Sequence, residues 1–282
     1  MPRANARQGR KHVTAQARTG GDMKVVILAG GMGTRIAEES HLNPKPMIEI
    51  GGYPILWHIM KHYSRYGHHE FIICCGYRGY MIKEYFADYY LHHSDVTFDF
   101  GAGNHMEVHS NIAEPWRVTL IDTGLKTQTG GRIRRIQKYV ADEPFLLTYG
   151  DGVGDVDLDA LLERHRKSGK TATITAVQPG GRFGVIEISE NDDLVTGFQE
   201  KTKEAGGWIN AGFMVMQPEI FRYLPGDSSI LERDLLERLS EEGRLNAYRH
   251  AGFWQCMDTQ RDKGLLESCW NQGNAPWKTW PD

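Results

Sequence analysis

The stretch Met23-Lys-Val-Val-Ile-Leu-Ala-Gly-Gly-Met-Gly-Thr-Arg35 constrains the architecture of this chain more than any other. Val25 to Ala29 is a short apolar run and reads as a strand buried on both faces. Gly30, Gly31 and Gly33 follow at once. A strand that enters a glycine turn presents bare backbone N–H groups at the carboxyl edge of a sheet, where open α/β sheets bind ligands. Without Cβ atoms such a loop closes on an anion such as a phosphate, and Thr34 and Arg35 add a hydroxyl and a fixed cation. An ordinary tight βα turn is the equal alternative. The loop is not a Walker A loop. The one Gly-Lys-Thr, at 169–171, has Arg164 where that motif needs glycine. A dinucleotide fingerprint fails as well, because Ile36 holds its third glycine position.

Downstream, the pattern alternates. Pro54 opens a helix whose Ile55, Leu56, Ile59, Met60 and Tyr63 share a face, and Gly67 ends it. A strand is expected over Glu70 to Cys75 and a helix from about Arg78 to Phe86. This β-loop-α-β-α order is the repeating unit of a parallel sheet. Residues 88 to 116, rich in His and aromatics, read as an irregular excursion or hairpin at a subunit contact. Further strands are expected at Val118 to Ile121, Phe145 to Thr148 and Ala172 to Val177. A polar loop covers Thr123 to Gly131, and helices cover Arg132 to Tyr139 and Leu158 to Lys167. A β-rich stretch follows from Phe183 to Met216, then helices near Ile230 to Ser240 and Gln260 to Trp270. Residues 1–22 carry five basic residues and one acidic one, with few large apolar side chains. They read as a disordered basic extension, with residues 23–282 as one domain. Without that extension the net charge of −3 becomes about −7, which gives no support for a nucleic-acid binder. No apolar run reaches membrane-span length and no secretory signal is evident, so a cytoplasmic protein with free thiols at Cys74, Cys75, Cys256 and Cys269 is expected.

Four other segments can carry chemistry. In Phe145-Leu-Leu-Thr-Tyr-Gly-Asp151-Gly a strand ends in a carboxylate between glycines, suited to a Mg²⁺ ion that shares its shell with substrate phosphates, or simply a turn. Asn43-Pro-Lys45-Pro-Met47 holds one lysine between two prolines, either against an anion or in solvent. Gln199-Glu200-Lys201 ends a strand pattern and is as readily a surface charge pair. Asp258, after Phe253-Trp-Gln-Cys-Met, is either a metal carboxylate or the cap of the last helix. No Gly-x-Ser-x-Gly elbow and no HExxH spacing occurs, and Ala160 and Arg166 rule out an EF-hand at Asp155.

Taken in order, Leu28-Ala-Gly-Gly-Met-Gly-Thr-Arg35, Pro44-Lys45-Pro46, Gly150-Asp151-Gly152 and Glu200-Lys201 resemble the sugar-1-phosphate nucleotidyltransferases. Within that family the chain is similar to the bacterial glucose-1-phosphate cytidylyltransferases. That narrower likeness rests on Gly52-x-Pro54-Ile-Leu-Trp57, Ile73-Cys-Cys-Gly-Tyr77, Thr129-Gly-Gly-Arg132, Phe253-Trp-Gln255 and Ala275-Pro-Trp-Lys-Thr-Trp280. Three positions depart from the family pattern: Lys126, Thr202 and Ala211.

The resemblance implies an α/β fold, a Rossmann-like and mainly parallel mixed sheet flanked by helices, with a smaller β-rich sugar-binding portion. Nucleotide binding would fall to about 23–150 and sugar-phosphate binding to about 151–282. It implies CTP and α-D-glucose 1-phosphate as substrates, CDP-glucose and pyrophosphate as products, Mg²⁺ as cofactor and a homo-oligomer, with no nucleic acid or membrane partner. Leu28, Ala29, Gly30, Gly31, Met32, Gly33, Thr34, Arg35, Lys45 and Gly150 would surround the nucleotide phosphates. Gly76, Tyr77, Thr129, Gly130 and Gly131 would lie near the base. Gly184, Glu200, Lys201 and Asn210 would line the sugar-phosphate site, and Asp151 and Asp258 would hold the metal. Arg35, Lys45, Asp151 and Lys201 would carry catalysis. A sugar phosphate brings its own nucleophilic oxygen, so direct in-line displacement needs no general base. Positioning supplies roughly 7–11 kcal/mol in favourable cases, and cation and metal clamps add several more. A thymidylyl- or uridylyltransferase and a non-catalytic nucleotide-binding relative are the alternatives.

Overall fold

The structure is a computed structural model, and it describes residues 22–33, 43–101, 103–140, 142–178, 185–189, 192–199 and 207–281. Its first strand, β1 (Val25–Ala29), is buried throughout. A small hairpin of β2 (Glu49–Ile50) and β3 (Tyr53–Pro54) leads into α1 (Ile55–Arg65), then β4 (Glu70–Cys75) and α2 (Gly79–His92). A second hairpin, β5 (Ser94–Asp99) with β6 (His105–Asn111), precedes β7 (Arg117–Asp122). Next come α3 (Thr129–Arg135), α4 (Gln137–Val140), β8 (Phe145–Tyr149), β9 (Gly152–Gly154), α5 (Leu158–Ser168) and β10 (Ala172–Val177). The remainder is β11 (Val185–Ile188), β12 (Val195–Gln199), β13 (Ile209–Asn210), β14 (Met214–Met216), a π-helical Leu231–Glu237 that continues as α6 (Arg238–Glu241), β15 (Leu245–Arg249), β16 (Trp254–Cys256) and α7 (Gln260–Asn271).

Eight of these strands form one mixed sheet in the order β13-β10-β14-β8-β1-β4-β7, with β15 also on β10. β8, β1, β4 and β7 run parallel, while β14 is antiparallel to both β8 and β10. The pleat sends alternate residues of β1 to opposite faces. Val25, Ile27 and Ala29 join a core with α1, α5 and the C-terminal Trp277 and Trp280, while Val26 and Leu28 join one with α3, α4 and the Leu231–Glu237 turn. The continuous apolar run of β1 thus has its cause in burial on both faces. The expected mixed, mainly parallel α/β sheet is present.

Boundaries differ where local patterns were ambiguous. α2 runs to His92, six residues past its expected end, because Tyr89 turns inward and stacks on Trp116 at 5.6 Å. The excursion after it is a hairpin, as one reading held. Thr129 to Gly131 is not loop but the first turn of α3, and Ile136 separates α3 from α4. The expected Ile209 to Met216 strand is split into β13 and β14 around Gly212 and Phe213, both at positive φ. β15 was not expected at all. Among the described residues no helix is long and apolar enough to cross a membrane.

Candidate active site

Segments that follow β1, β7, β8 and β16 meet around a cavity of about 390 Å³. One wall is the glycine turn: Leu28, Ala29, Gly30, Gly31 and Gly33 line it. The floor is Lys45, Pro46, Tyr149, Gly150 and Asp151, closed by Asp258. The far wall is Thr127, Gln128, Thr129 and Arg132. Gly150 donates its N–H to Leu28 O at 3.0 Å, so the two glycine-bearing strand ends are tied together. A Cβ at Gly150 would sit 2.9 Å from that same oxygen, which explains glycine there. Gly31 meets nothing within 4 Å on its Cβ side, so its bare edge faces open space.

Asp151 and Asp258 are far apart in sequence, and a three-residue ladder brings them together. β9 starts one residue after Asp151 and β16 ends two before Asp258. Cys256 pairs with Gly152, and Met257 N–H donates to Asp151 O at 2.8 Å. Asp258 is not the cap of the last helix. Thr259 is, in a capping box with Asp262, whose Oδ2 also accepts from Asp258 N–H. Asp258 therefore keeps its carboxylate for the site. Lys45 follows the extended Pro44 and starts a single 3₁₀ turn. Its Nζ donates to Asp151 Oδ2 at 2.6 Å and to Asp258 Oδ1. Burial by itself would lower the Lys45 pKa, but the two carboxylates outweigh it and hold the ammonium above its ordinary value.

Arg132 is the principal residue that sequence reasoning passed over. Its side chain is buried and runs under the glycine turn. Nη1 donates to Thr123 Oγ1 at 2.7 Å, Gly124 O at 2.8 Å and Cys75 O at 3.3 Å; Nη2 donates to Gly30 O at 3.0 Å. One guanidinium thus ties the ends of β1, β4 and β7. A Cβ on Gly30 or on Gly76 would run into it. In the sequence Arg132 only opens an expected helix and closes the Thr129-Gly-Gly-Arg132 segment, and neither feature assigns it a role. Glu232 gave no sequence signal. It accepts from Tyr149 Oη at 2.6 Å and Thr129 Oγ1 at 3.1 Å, joining floor to far wall.

The other expected site residues fall into two groups. Met32 is exposed and points off the cavity. Gly76 and Tyr77 lie behind the glycine turn, where Tyr77 N–H donates to Gly30 O at 3.1 Å. Gly130 and Gly131 face the 224–229 segment, and the Gly131 N–H is engaged by Ser229 O at 3.0 Å. Asn210 does not line the cavity but reaches Tyr149 Oη at 3.5 Å. Thr34, Arg35, Gly184, Glu200 and Lys201 lie outside the described residues.

A profile of the nucleotidyl transferase family matches residues 24–273. The chain belongs to the nucleotidyl transferase family. It is 56% identical over 259 residues to a glucose-1-phosphate cytidylyltransferase of Salmonella typhi, spanning 92% of this chain and 100% of that one. A probable glucose-1-phosphate cytidylyltransferase of Bacillus subtilis is 43% identical over the same shares. Among solved structures, HddC from Yersinia pseudotuberculosis superposes with a TM-score of 0.71 at 24% identity, covering 88% of this chain and 99% of that one. A UDP-glucose pyrophosphorylase complexed with UDP-glucose gives 0.71 at 17%, covering 89% and 99%. These two likenesses establish the fold of a nucleotidyl transferase for this chain.

The donor set suits a hard divalent cation. Asp151 and Asp258 offer oxygen, both partly open to the cavity, and already converge on one positive charge. No group of three or more His, Cys, Asp or Glu arranged to hold a metal ion by itself occurs among the described residues. Two carboxylates completed by substrate phosphates is a common shell for Mg²⁺.

Proposed function

We propose that this nucleotidyl transferase moves CMP from CTP to α-D-glucose 1-phosphate, giving CDP-glucose and pyrophosphate. The observation that carries the reading is the meeting of Lys45, Asp151 and Asp258 below a glycine wall, in a chain 56% identical to a glucose-1-phosphate cytidylyltransferase along that protein's whole length. The glycine edge admits a triphosphate where any side chain would exclude it. Lys45 supplies a positive charge for the reacting phosphate. Asp151 and Asp258 would hold Mg²⁺. When bound there, the cation neutralises phosphate charge and stabilises what accumulates as pyrophosphate leaves.

Glucose 1-phosphate attacks the α-phosphorus of CTP with its own phosphate oxygen. A new P–O bond forms in line as the bond to pyrophosphate breaks. The catalytic duty of the protein is alignment and charge neutralisation, and no covalent enzyme intermediate arises. Arg35 and Lys201 complete the cation set in this reading, with Gly184, Glu200 and Asn210 on the sugar phosphate. Nucleotide contacts come mainly from residues 23–150 and sugar contacts from 151–282. The chain assembles as a homo-oligomer through the β5–β6 hairpin, whose Phe98 and Phe100 are 49% and 78% exposed. Incubation with CTP, glucose 1-phosphate and Mg²⁺ should yield CDP-glucose and pyrophosphate in equal amounts, and chelation should stop both. Pyrophosphate without CDP-glucose would overturn the reading.

A further inference from the structure

The Lys45 ammonium touches the same two carboxylates that the proposed function gives to a divalent cation. It donates to Asp151 Oδ2 at 2.6 Å and to Asp258 Oδ1, on a side chain only 11% exposed. One positive charge between two negative ones leaves the trio an excess negative charge. A divalent ion at those oxygens would meet a like charge at contact range. Carboxylate-bound metal and carboxylate-bound ammonium therefore repel and compete for the pair. The backbone of Lys45 is held by Pro44, Pro46 and the Ile48 N–H to Lys45 O bond at 3.1 Å, so yielding falls to the side chain. A compact ammonium on a four-carbon stem is the basic group best able to swing. Lys45 and Gly31 line the same cavity, and the open space beside Gly31 leaves room for such a swing.

We propose that Lys45 is an exchangeable counter-ion: it clamps Asp151 to Asp258 until a divalent cation takes their oxygens, and its ammonium then passes to the substrate phosphate. The inference rests on the assignment of Asp151 and Asp258 as metal carboxylates. It has a thermodynamic consequence. Metal alone must displace a clamp and binds weakly. Metal with nucleotide gives the displaced ammonium a new anion and binds tightly, and the coupling is reciprocal.

Mn²⁺ is the probe, with free ion read by electron paramagnetic resonance and no turnover involved. Without nucleotide, Lys45→Gln should bind Mn²⁺ at least 10-fold more tightly than the wild type, while Lys45→Arg should stay weak. A Lys45→Gln protein that binds Mn²⁺ no more tightly overturns the exchange. With CTP present, wild-type Mn²⁺ binding should be lost in Asp151→Asn. If that dependence is missing, the metal assignment itself fails; if it holds while Lys45→Gln is not tighter, only the exchange fails. A wild-type measurement covers the case of a variant that does not fold. Acylation of Lys45 by an amine-reactive reagent, followed by peptide mass spectrometry, should rise at least 5-fold at saturating Mn²⁺. Unchanged labelling overturns the proposal.

Discussion

Two glycines, one lining the cavity and one packed behind it, meet opposite environments, and each yields a different expected outcome. Gly31 has open space where its Cβ would be, so Gly31→Ala should melt within a degree or two of the wild type. In the proposed site its methyl group would obstruct the triphosphate, and the KM for CTP should rise at least 10-fold. Gly131 packs on the backbone of Asp227, with a would-be Cβ 2.6 Å from Asp227 Cα. Gly131→Ala should cost about 1–3 kcal/mol, read by denaturant unfolding. Asp151→Asn should leave the fold intact, because Asp151 is tied in through its backbone oxygen, and should cut turnover by about 100-fold or more. Unchanged activity would remove Asp151 from the metal site. Lys45, Asp151 and the glycine turn were legible because strand ends and prolines mark them. Arg132 was not, since burial of a guanidinium by neutral acceptors on three separate loops leaves no trace in local pattern.

At the scale of elements, the apolar strands β1, β4 and β8 could be read directly, because burial on both faces writes a nearly continuous apolar run. The β9–β16 ladder could not. Its strands are three residues each, and one is Gly-Val-Gly, yet it sets the distance between the two site carboxylates. β15 was missed because polar Asn246 and Arg249 interrupt its pattern. The β5–β6 hairpin alternates beyond a register shift between Asp95 and Val96. Val96 faces Val108 and Phe98 faces Met106 on one side, while Thr97 bonds His109 on the other. A two-stranded hairpin is marginal in water without a third layer to cover its apolar face. Replacing Phe98 and Phe100 with Ser should lower the mass measured by light scattering from oligomer toward 32.0 kDa while activity per folded site is largely kept. A wild type already at 32.0 kDa would contradict the assembly.

For the whole molecule, the buried histidines set the acid limit. His58, His62 and His165 are held neutral by burial, each with its pKa pushed down to about 4, and His58 recovers only part of this by bonding Ile50 O at 2.9 Å. Between about pH 4 and 6.5 the unfolded chain binds protons that the folded chain refuses. Their contribution is therefore fully present above 6.5 and drains away as pH falls toward 4, by up to about 3 kcal/mol per histidine. The melting temperature should drop steadily from pH 7 to pH 5, and a flat profile would contradict the burial of these rings as neutral species.

At the same scale, β1, β7 and β8 deliver their loops to one edge of a single sheet, and the β9–β16 ladder adds Asp258. The most direct test of the proposed function is kcat/KM from pyrophosphate release across CTP, UTP, dTTP and GTP, each with glucose 1-phosphate and with other sugar 1-phosphates. CTP with glucose 1-phosphate should exceed every other pair by at least 10-fold. Equal or greater turnover with UTP or dTTP would contradict that function.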